Sequence, residues 1–278
     1  MPDDALEDFD RVTFTHEGRT RAVFRQGTGP AVIVIAEIPG ITPKVLEFAR
    51  RVSAIGCTAV LPPHLFGRPG RAYPNPPEVD GTLRAAGKFV DSIVPACISR
   101  EFTVLATGRT SPVVTWLRAL AAEEHHRCGG PGVGAVGMCF TGGYALAMAT
   151  DDRLLAPPVL SQPSLPYGIT ARQRHSIDIS PDDLAKVRQR CAHGLTVLGL
   201  RFRGDKTSPP AERFDYLREQ LGEAFVGVEL DDSAADPTAT LEPHSVLTEH
   251  LIDEPGQPTR EALDQVLDLF RTRLLAPR

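Results

Sequence analysis

Hydrophobic and polar positions along the chain alternate between two periods. Residues 11–26 (RVTFTHEGRTRAVFRQ) alternate every second position around Glu17-Gly18, which predicts an opening β-hairpin. Ala31 to Ala36 is then a continuous apolar run, the pattern of a central strand buried on both faces. Pro43 opens a helix over Lys44–Ala54 that carries Val45, Leu46, Phe48, Ala49 and Val52 on one side. Gly56 ends it and Thr58–Leu61 forms the next strand, completing a βαβ unit.

Later segments repeat the alternation. Residues 80–100 are weakly patterned and partly helical, and 101–106 (EFTVLA) form a short strand or an irregular connection. A helix from Ser111 to Arg127 places Val113, Val114, Trp116, Leu117, Leu120 and Ala121 at helical spacing. Strands are expected at Val133–Val136, Ala156–Leu160, Leu195–Leu200 and Ala224–Leu230. Helices are expected from Pro181 to Cys191 with Ser180 as N-cap, from Pro209 or Pro210 to Leu221, and from Thr259 to Leu275. This order predicts an α/β fold, a mostly parallel central sheet with helices on both faces, as one domain over residues 1–278.

Bulk properties narrow the function classes. With 278 residues, 42% hydrophobic and 23% charged, the chain can bury a sizeable core. A net charge of -5 argues against nucleic acid, because phosphate neutralisation calls for a basic face. No apolar run reaches membrane-spanning length, and the start MPDDALEDFD is acidic where a signal peptide would be basic and then apolar. A cytoplasmic protein with no membrane partner is the expectation. The five cysteines, Cys57, Cys97, Cys128, Cys139 and Cys191, are odd in number and contain no C-x-x-C pair, so they suit neither a disulfide framework nor a zinc site. Cys57 and Cys191 read as core residues and Cys128 as a helix-end loop residue. No metal or other cofactor is expected.

The most informative stretch is GVGAVGMCFTGGYALAMA, residues 132–149. It reads as strand, abrupt turn and helix, the layout of a nucleophile elbow, with Cys139 at the turn, Gly137 two residues before it and Gly142 three after. In the serine version the second glycine stands two residues after the nucleophile, a place taken here by Thr141. Asp205, in the Gly204-Asp205 loop, and His244, in the polar stretch after the next strand, follow in the order nucleophile, acid, histidine. Each type has a chemical reason. A thiol is mostly protonated near neutral pH, and an imidazole and a helix N-terminus beside it favour the thiolate. A carboxylate on the other imidazole nitrogen fixes the tautomer and stabilises the imidazolium. The N–H groups of Phe140 and Ile38 are the expected oxyanion donors. His250 is the rival to His244, while Asp231 and Asp232 are rivals to Asp205.

Glu37 follows the first parallel strand, at the edge where doubly wound sheets place ligands, but by itself reads as a surface acid at a strand end. The Pro-rich segments 62–78 and 156–168 leave strands at the same edge. His64, Arg68 and Arg71 in the first of them, and Arg100 beyond it, are candidates to touch substrate.

Taken together, these motifs resemble the dienelactone hydrolases (carboxymethylenebutenolidases) of the α/β-hydrolase superfamily, over about Ala31 to His244. Gly137-Met138-Cys139-Phe140-Thr141-Gly142-Gly143 is similar to the family elbow, and Ala36-Glu37-Ile38-Pro39-Gly40 to its strand-end motif. Gly204-Asp205 with Ser208-Pro209-Pro210-Ala211 resembles its acid loop, and His244-Ser245 its histidine loop. The resemblance implies catalytic roles for Cys139, Asp205, His244 and Glu37, with the glutamate contacting the resting thiol and moving when substrate binds. It further implies attack on a lactone carbonyl through an acyl-enzyme, and substrate contacts from Ser245. Two positions depart from the pattern. Thr248 stands where the family has an arginine that holds the substrate carboxylate, and Pro243 stands where a glycine precedes the histidine. Arg68, Arg71 and Arg100 are then the candidates for an anion clamp.

The expected function is hydrolysis of a small lactone or ester by a monomer or homodimer, with thioesters and general carboxylesters as further substrate classes. The competing reading is a non-catalytic relative that binds a small molecule or senses oxidants through Cys139. Presence of Cys139, Asp205 and His244 together favours the enzyme, because a binding module has no need of all three.

Overall fold

The computed structural model describes residues 6–38, 40–62, 107–154, 156–208 and 210–275. Segment 62–78 beyond Pro62, with His64, Arg68 and Arg71, falls outside the described residues, as do Cys97, Arg100 and the 80–100 and 101–106 segments.

Eight strands form one sheet in the order β1-β2-β4-β3-β5-β6-β7-β8. The hairpin pairs β1 (Asp10–His16) with β2 (Arg19–Gly27) in antiparallel fashion. Glu17 and Gly18 turn it with φ of 48° and 72°, the two positive values that match the twist of the flanking strands. β2 also runs antiparallel to β4 (Thr58–Leu61), and every later pairing is parallel. β3 (Ala31–Ile35) lies between β4 and β5 (Gly134–Met138), so successive connections leave it in opposite directions. The carboxyl ends of β3 and β5 therefore flank the switch point, where open α/β sheets leave a crevice for ligands.

Alternation along the strands divides the core in two. Val32 and Val34 of β3 face one cluster, with α1 (Pro43–Ala54) and the final helix, whereas Ala31, Ile33 and Ile35 face the other. That second cluster takes Trp116, Leu117 and Leu120 from α2 (Val113–Cys128) and Tyr144–Ala149 around α3 (Gly142–Met148). It is closed by Leu184 and Val187 of α5 (Pro181–Ala192) and Phe214 and Leu217 of α6 (Pro210–Leu221), the short α4 (Ala171–Arg174) lying before them. Thr42 caps α1 by accepting from Val45 N–H at 3.3 Å, and Ser180 caps α5 by accepting from Asp183 N–H at 3.2 Å.

Several boundaries differ from the sequence expectation for identifiable reasons. β6 runs from Val159 to Ser161 rather than from Ala156, because Pro157 and Pro158 have no N–H to give a ladder. β7 (Val197–Phe202) passes the expected end at Leu200, since Arg201 is a buried polar residue within the strand and Phe202 still pairs with Leu230 of β8 (Phe225–Leu230). β5 likewise continues through Gly137 and Met138, while Val133 makes only an isolated bridge to Leu154. α7 (Pro258–Phe270) ends five residues early and passes into a π-helical turn, Arg271–Leu275. Cys57 is buried as expected, but Cys191 is half-buried and Cys128 closes α2.

Leu263 of α7 is fully buried against the sheet. Leu263→Ala is expected to lower unfolding stability by about 2–5 kcal/mol in urea titration, through lost transfer energy and the cavity left behind.

Candidate active site

β5 delivers Cys139 into a left-handed turn with φ 52°, followed by a 3-10 turn over Cys139–Thr141 and then α3. A non-glycine residue holds such a conformation only where its surroundings over-determine it. Two glycines permit the close packing. A Cβ added to Gly137 would stand 2.2 Å from the Thr141 carbonyl oxygen, and one added to Gly142 would stand 2.6 Å from Pro163. Thr141, at the position where the serine pattern has glycine, has a buried hydroxyl that accepts from Met138 N–H at 2.9 Å and donates to Ile35 O at 2.8 Å. It fastens the elbow to the neighbouring strand end.

Parallel pairing of Ile35 with Gly137 places Glu37 and Cys139 each two residues beyond the last paired position of β3 and β5. Ile38 and Phe140 follow them at the switch point. Phe140 is buried, with its ring edge-on to Tyr167 at 6.3 Å, and Ile38 is half-buried against the same cluster. After Glu37 the chain turns at once, Gly40 N–H donating to Glu37 O at 2.7 Å.

Asp205 is buried in the loop after β7 and uses its two oxygens differently. Oδ1 accepts from Thr207 N–H at 2.9 Å and Ser208 N–H at 3.2 Å, fixing its own turn. Oδ2 meets His244 Nδ1 at 2.7 Å. A carboxylate can only accept from this nitrogen, so the neutral ring carries its proton on Nδ1 and leaves Nε2 as the basic atom. Nε2 is buried and has no hydrogen-bond partner among the described residues. Burial alone would depress the pKa of this imidazole, but the Cys139 sulfur and the Asp205 carboxylate outweigh it and hold His244 well above its ordinary value. Cys139, His244 and Asp205 are thus brought to one place.

The rivals have other duties. His250 is buried in a turn, accepts from Ser245 N–H on Nδ1 at 3.1 Å and reaches Leu241 O with Nε2 at 3.0 Å. Asp232 accepts from Gly204 N–H at 2.8 Å, and Asp231 accepts from Ser233 N–H at 3.0 Å.

Glu37 is also buried. Its carboxylate accepts from Ser245 Oγ at 2.7 Å, from Gln162 Nε2 at 3.1 Å and from Thr248 Oγ1. This differs from the thiol contact implied by the family resemblance: Thr248, at the arginine position, is a neutral donor that turns the carboxylate toward the histidine loop. Ser245, expected to touch substrate, is buried with its hydroxyl on Glu37. Sequence reasoning missed Gln162 and the structural use of Thr248 and His250. Within the described residues there is no group of three or more His, Cys, Asp or Glu placed to hold a metal ion, and no helix is long and apolar enough to cross a membrane.

A parallel sheet with a strained elbow at its switch point and an Asp–His pair beside the turn defines the α/β-hydrolase class. The profile of the dienelactone hydrolase family matches residues 19–174, and the chain belongs to that family. It is accordingly a carboxylic ester hydrolase by family. The fold is shared with a putative dienelactone hydrolase from Klebsiella pneumoniae subsp. pneumoniae (16% identity over 94% of this chain and 97% of the other, TM-score 0.58). A dienelactone hydrolase-like promiscuous phosphotriesterase from metagenomic libraries is similar as well (16% identity, 96% and 98% coverage, TM-score 0.59). So is 2,6-dihydroxy-pseudo-oxynicotine hydrolase (17% identity, 97% and 70% coverage, TM-score 0.57). No curated protein matches the chain.

Because the folded pKa of His244 lies above the unfolded value of about 6.5, its pairing stabilises the fold fully below that pH and the contribution is lost as pH rises through the folded value. Asp205→Asn is therefore expected to lower the urea midpoint most near pH 6 and progressively less toward alkaline pH. A constant difference across that range would contradict the assignment of this pair.

Proposed function

We propose that the chain is a cysteine-dependent hydrolase of small lactones or esters that works through an acyl-enzyme. The observation that carries this reading is Cys139 at a left-handed elbow, φ 52°, close enough to the buried His244 to raise its pKa, with His244 Nδ1 held by Asp205. Family membership supports the substrate class.

His244 Nε2 takes the thiol proton, and the thiolate attacks the substrate carbonyl carbon. The tetrahedral oxyanion accepts from the N–H groups of Ile38 and Phe140. Its collapse breaks the C–O bond, and the imidazolium returns the proton to the leaving alkoxide, which in a lactone stays tethered to the acyl chain. Water then attacks the thioester with His244 as base, releasing the acid and the Cys139 thiolate. Asp205 holds the ring orientation and stabilises the imidazolium throughout.

Glu37 acts at this site through the loop that carries His244, since Ser245 and Thr248 both donate to it. Arg68 and Arg100, which lie outside the described residues, are the proposed substrate contacts, while Ser245 serves the site through Glu37. The enzyme is proposed to act in the cytoplasm on small molecules.

Hydrolysis of p-nitrophenyl acetate and of a small lactone panel tests the reading. Cys139→Ala is expected to reduce wild-type kcat by at least about 10³-fold, the scale seen when a nucleophile is removed. Full activity in Cys139→Ala, or no turnover of any ester or lactone by the wild type, would overturn it.

A further inference from the structure

We propose that Gln162 is a positioning residue for this reaction, locking the histidine loop, the Glu37 carboxylate and the nucleophile elbow into one geometry. The inference rests on the cysteine-hydrolase reading above. Gln162 directly follows β6, is fully buried and has a φ of 38°, a left-handed state that side chains longer than asparagine rarely occupy. Its amide orientation is determined by its neighbours. Nε2 donates to Glu37 Oε2 at 3.1 Å, and Oε1 accepts from Val246 N–H at 3.4 Å and from Ser161 Oγ. A carboxylate only accepts and a backbone N–H only donates, so an amide satisfies both sides where a glutamate or an apolar side chain would leave one unsatisfied.

The same turn reaches the other two loops. Ser164 N–H donates to Cys139 O at 2.9 Å. Pro163 O accepts from Ser208 Oγ at 2.7 Å, and Ser208 N–H in turn holds Asp205 Oδ1. Gln162 N–H is anchored on Leu200 O of β7 at 2.7 Å, and its own carbonyl accepts from Ser164 Oγ at 3.1 Å. Four residues, Ser161 to Ser164, therefore touch the segments bearing Cys139, Asp205 and His244, and Gln162 is the member that joins the histidine loop to Glu37. Catalytic groups need placement to within about 0.5 Å, which a buried amide fixed by three hydrogen bonds on a strained backbone can supply.

Gln162→Asn and Gln162→Met test the role. Asparagine tolerates the left-handed backbone but is one methylene short of spanning Glu37 and Val246, while methionine keeps the length without the polar atoms. Two readouts are needed: kcat and KM for p-nitrophenyl acetate, and the pH dependence of Cys139 alkylation by iodoacetamide, followed on the Cys139 peptide by mass spectrometry. Both variants are expected to lose about 10–100-fold in kcat with KM unchanged, and to alkylate Cys139 with a profile displaced to higher pH. A folded variant with wild-type kcat and an unmoved alkylation profile would overturn the proposal, and so would failure of both variants to fold, which would make Gln162 a folding determinant instead. Alkylation does not require turnover. A wild type that is alkylated at Cys139 but hydrolyses no ester would count against the hydrolase reading, while the alkylation profiles of the variants against wild type would still decide whether Gln162 positions Cys139.

Discussion

The strained turn at Cys139 is the constraint from which the rest of the site follows. Its φ of 52° is held by three local conditions: no side chain at Gly137, none at Gly142, and a Thr141 hydroxyl that bridges Met138 and Ile35. Each condition faces a different part of the protein. Gly137 admits the returning turn, Gly142 admits Pro163 from the loop after β6, and Thr141 joins the elbow to β3. The sulfur is thereby presented at the switch point of the sheet, beside the loops that carry Asp205 and His244.

Charge at this site is managed in two ways. Asp205 is paired with an imidazole that can carry a full positive charge, so the couple can absorb a proton from the thiol. Among the described residues Glu37 is buried against neutral donors, two hydroxyls and an amide, each of which hydrogen-bonds its carboxylate. Arg213 shows the opposite case in the same neighbourhood: burial pushes it down to about 9, and its guanidinium is satisfied by the carbonyls of Pro163, Pro166, Gln173 and Ser176. It holds in place the loop from which Gln162 and Ser164 act.

Much of the fold was legible because strong periodicities coincide with unambiguous punctuation. The apolar run at β3, the Pro43 and Gly56 boundaries of α1 and the Glu17-Gly18 turn each combine two local signals. Boundaries failed where one signal misled: the apolar count began β6 too early because prolines cannot ladder, and ended β7 too soon because Arg201 is a buried polar strand residue. The proposed Cys139 and Asp205 stood out in the sequence through glycine-containing turns, and His244 through its polar loop and the chain order. Gln162 carried no such signal, since a glutamine after a short strand has no spacing to another residue, and its partners Glu37 and Val246 lie far away in sequence. Thr248 was read as the loss of an arginine, and only the three-dimensional arrangement gives its hydroxyl a use.

The central claim is that Cys139 becomes covalently acylated with His244 as its proton acceptor. Intact-protein and peptide mass spectrometry after a rapid acid quench with p-nitrophenyl acetate tests this most directly. The account predicts one added acetyl group, located on the Cys139 peptide and absent from Cys139→Ala. Sustained hydrolysis with no acetyl on Cys139 at any time, or with the acetyl on another residue, would contradict it.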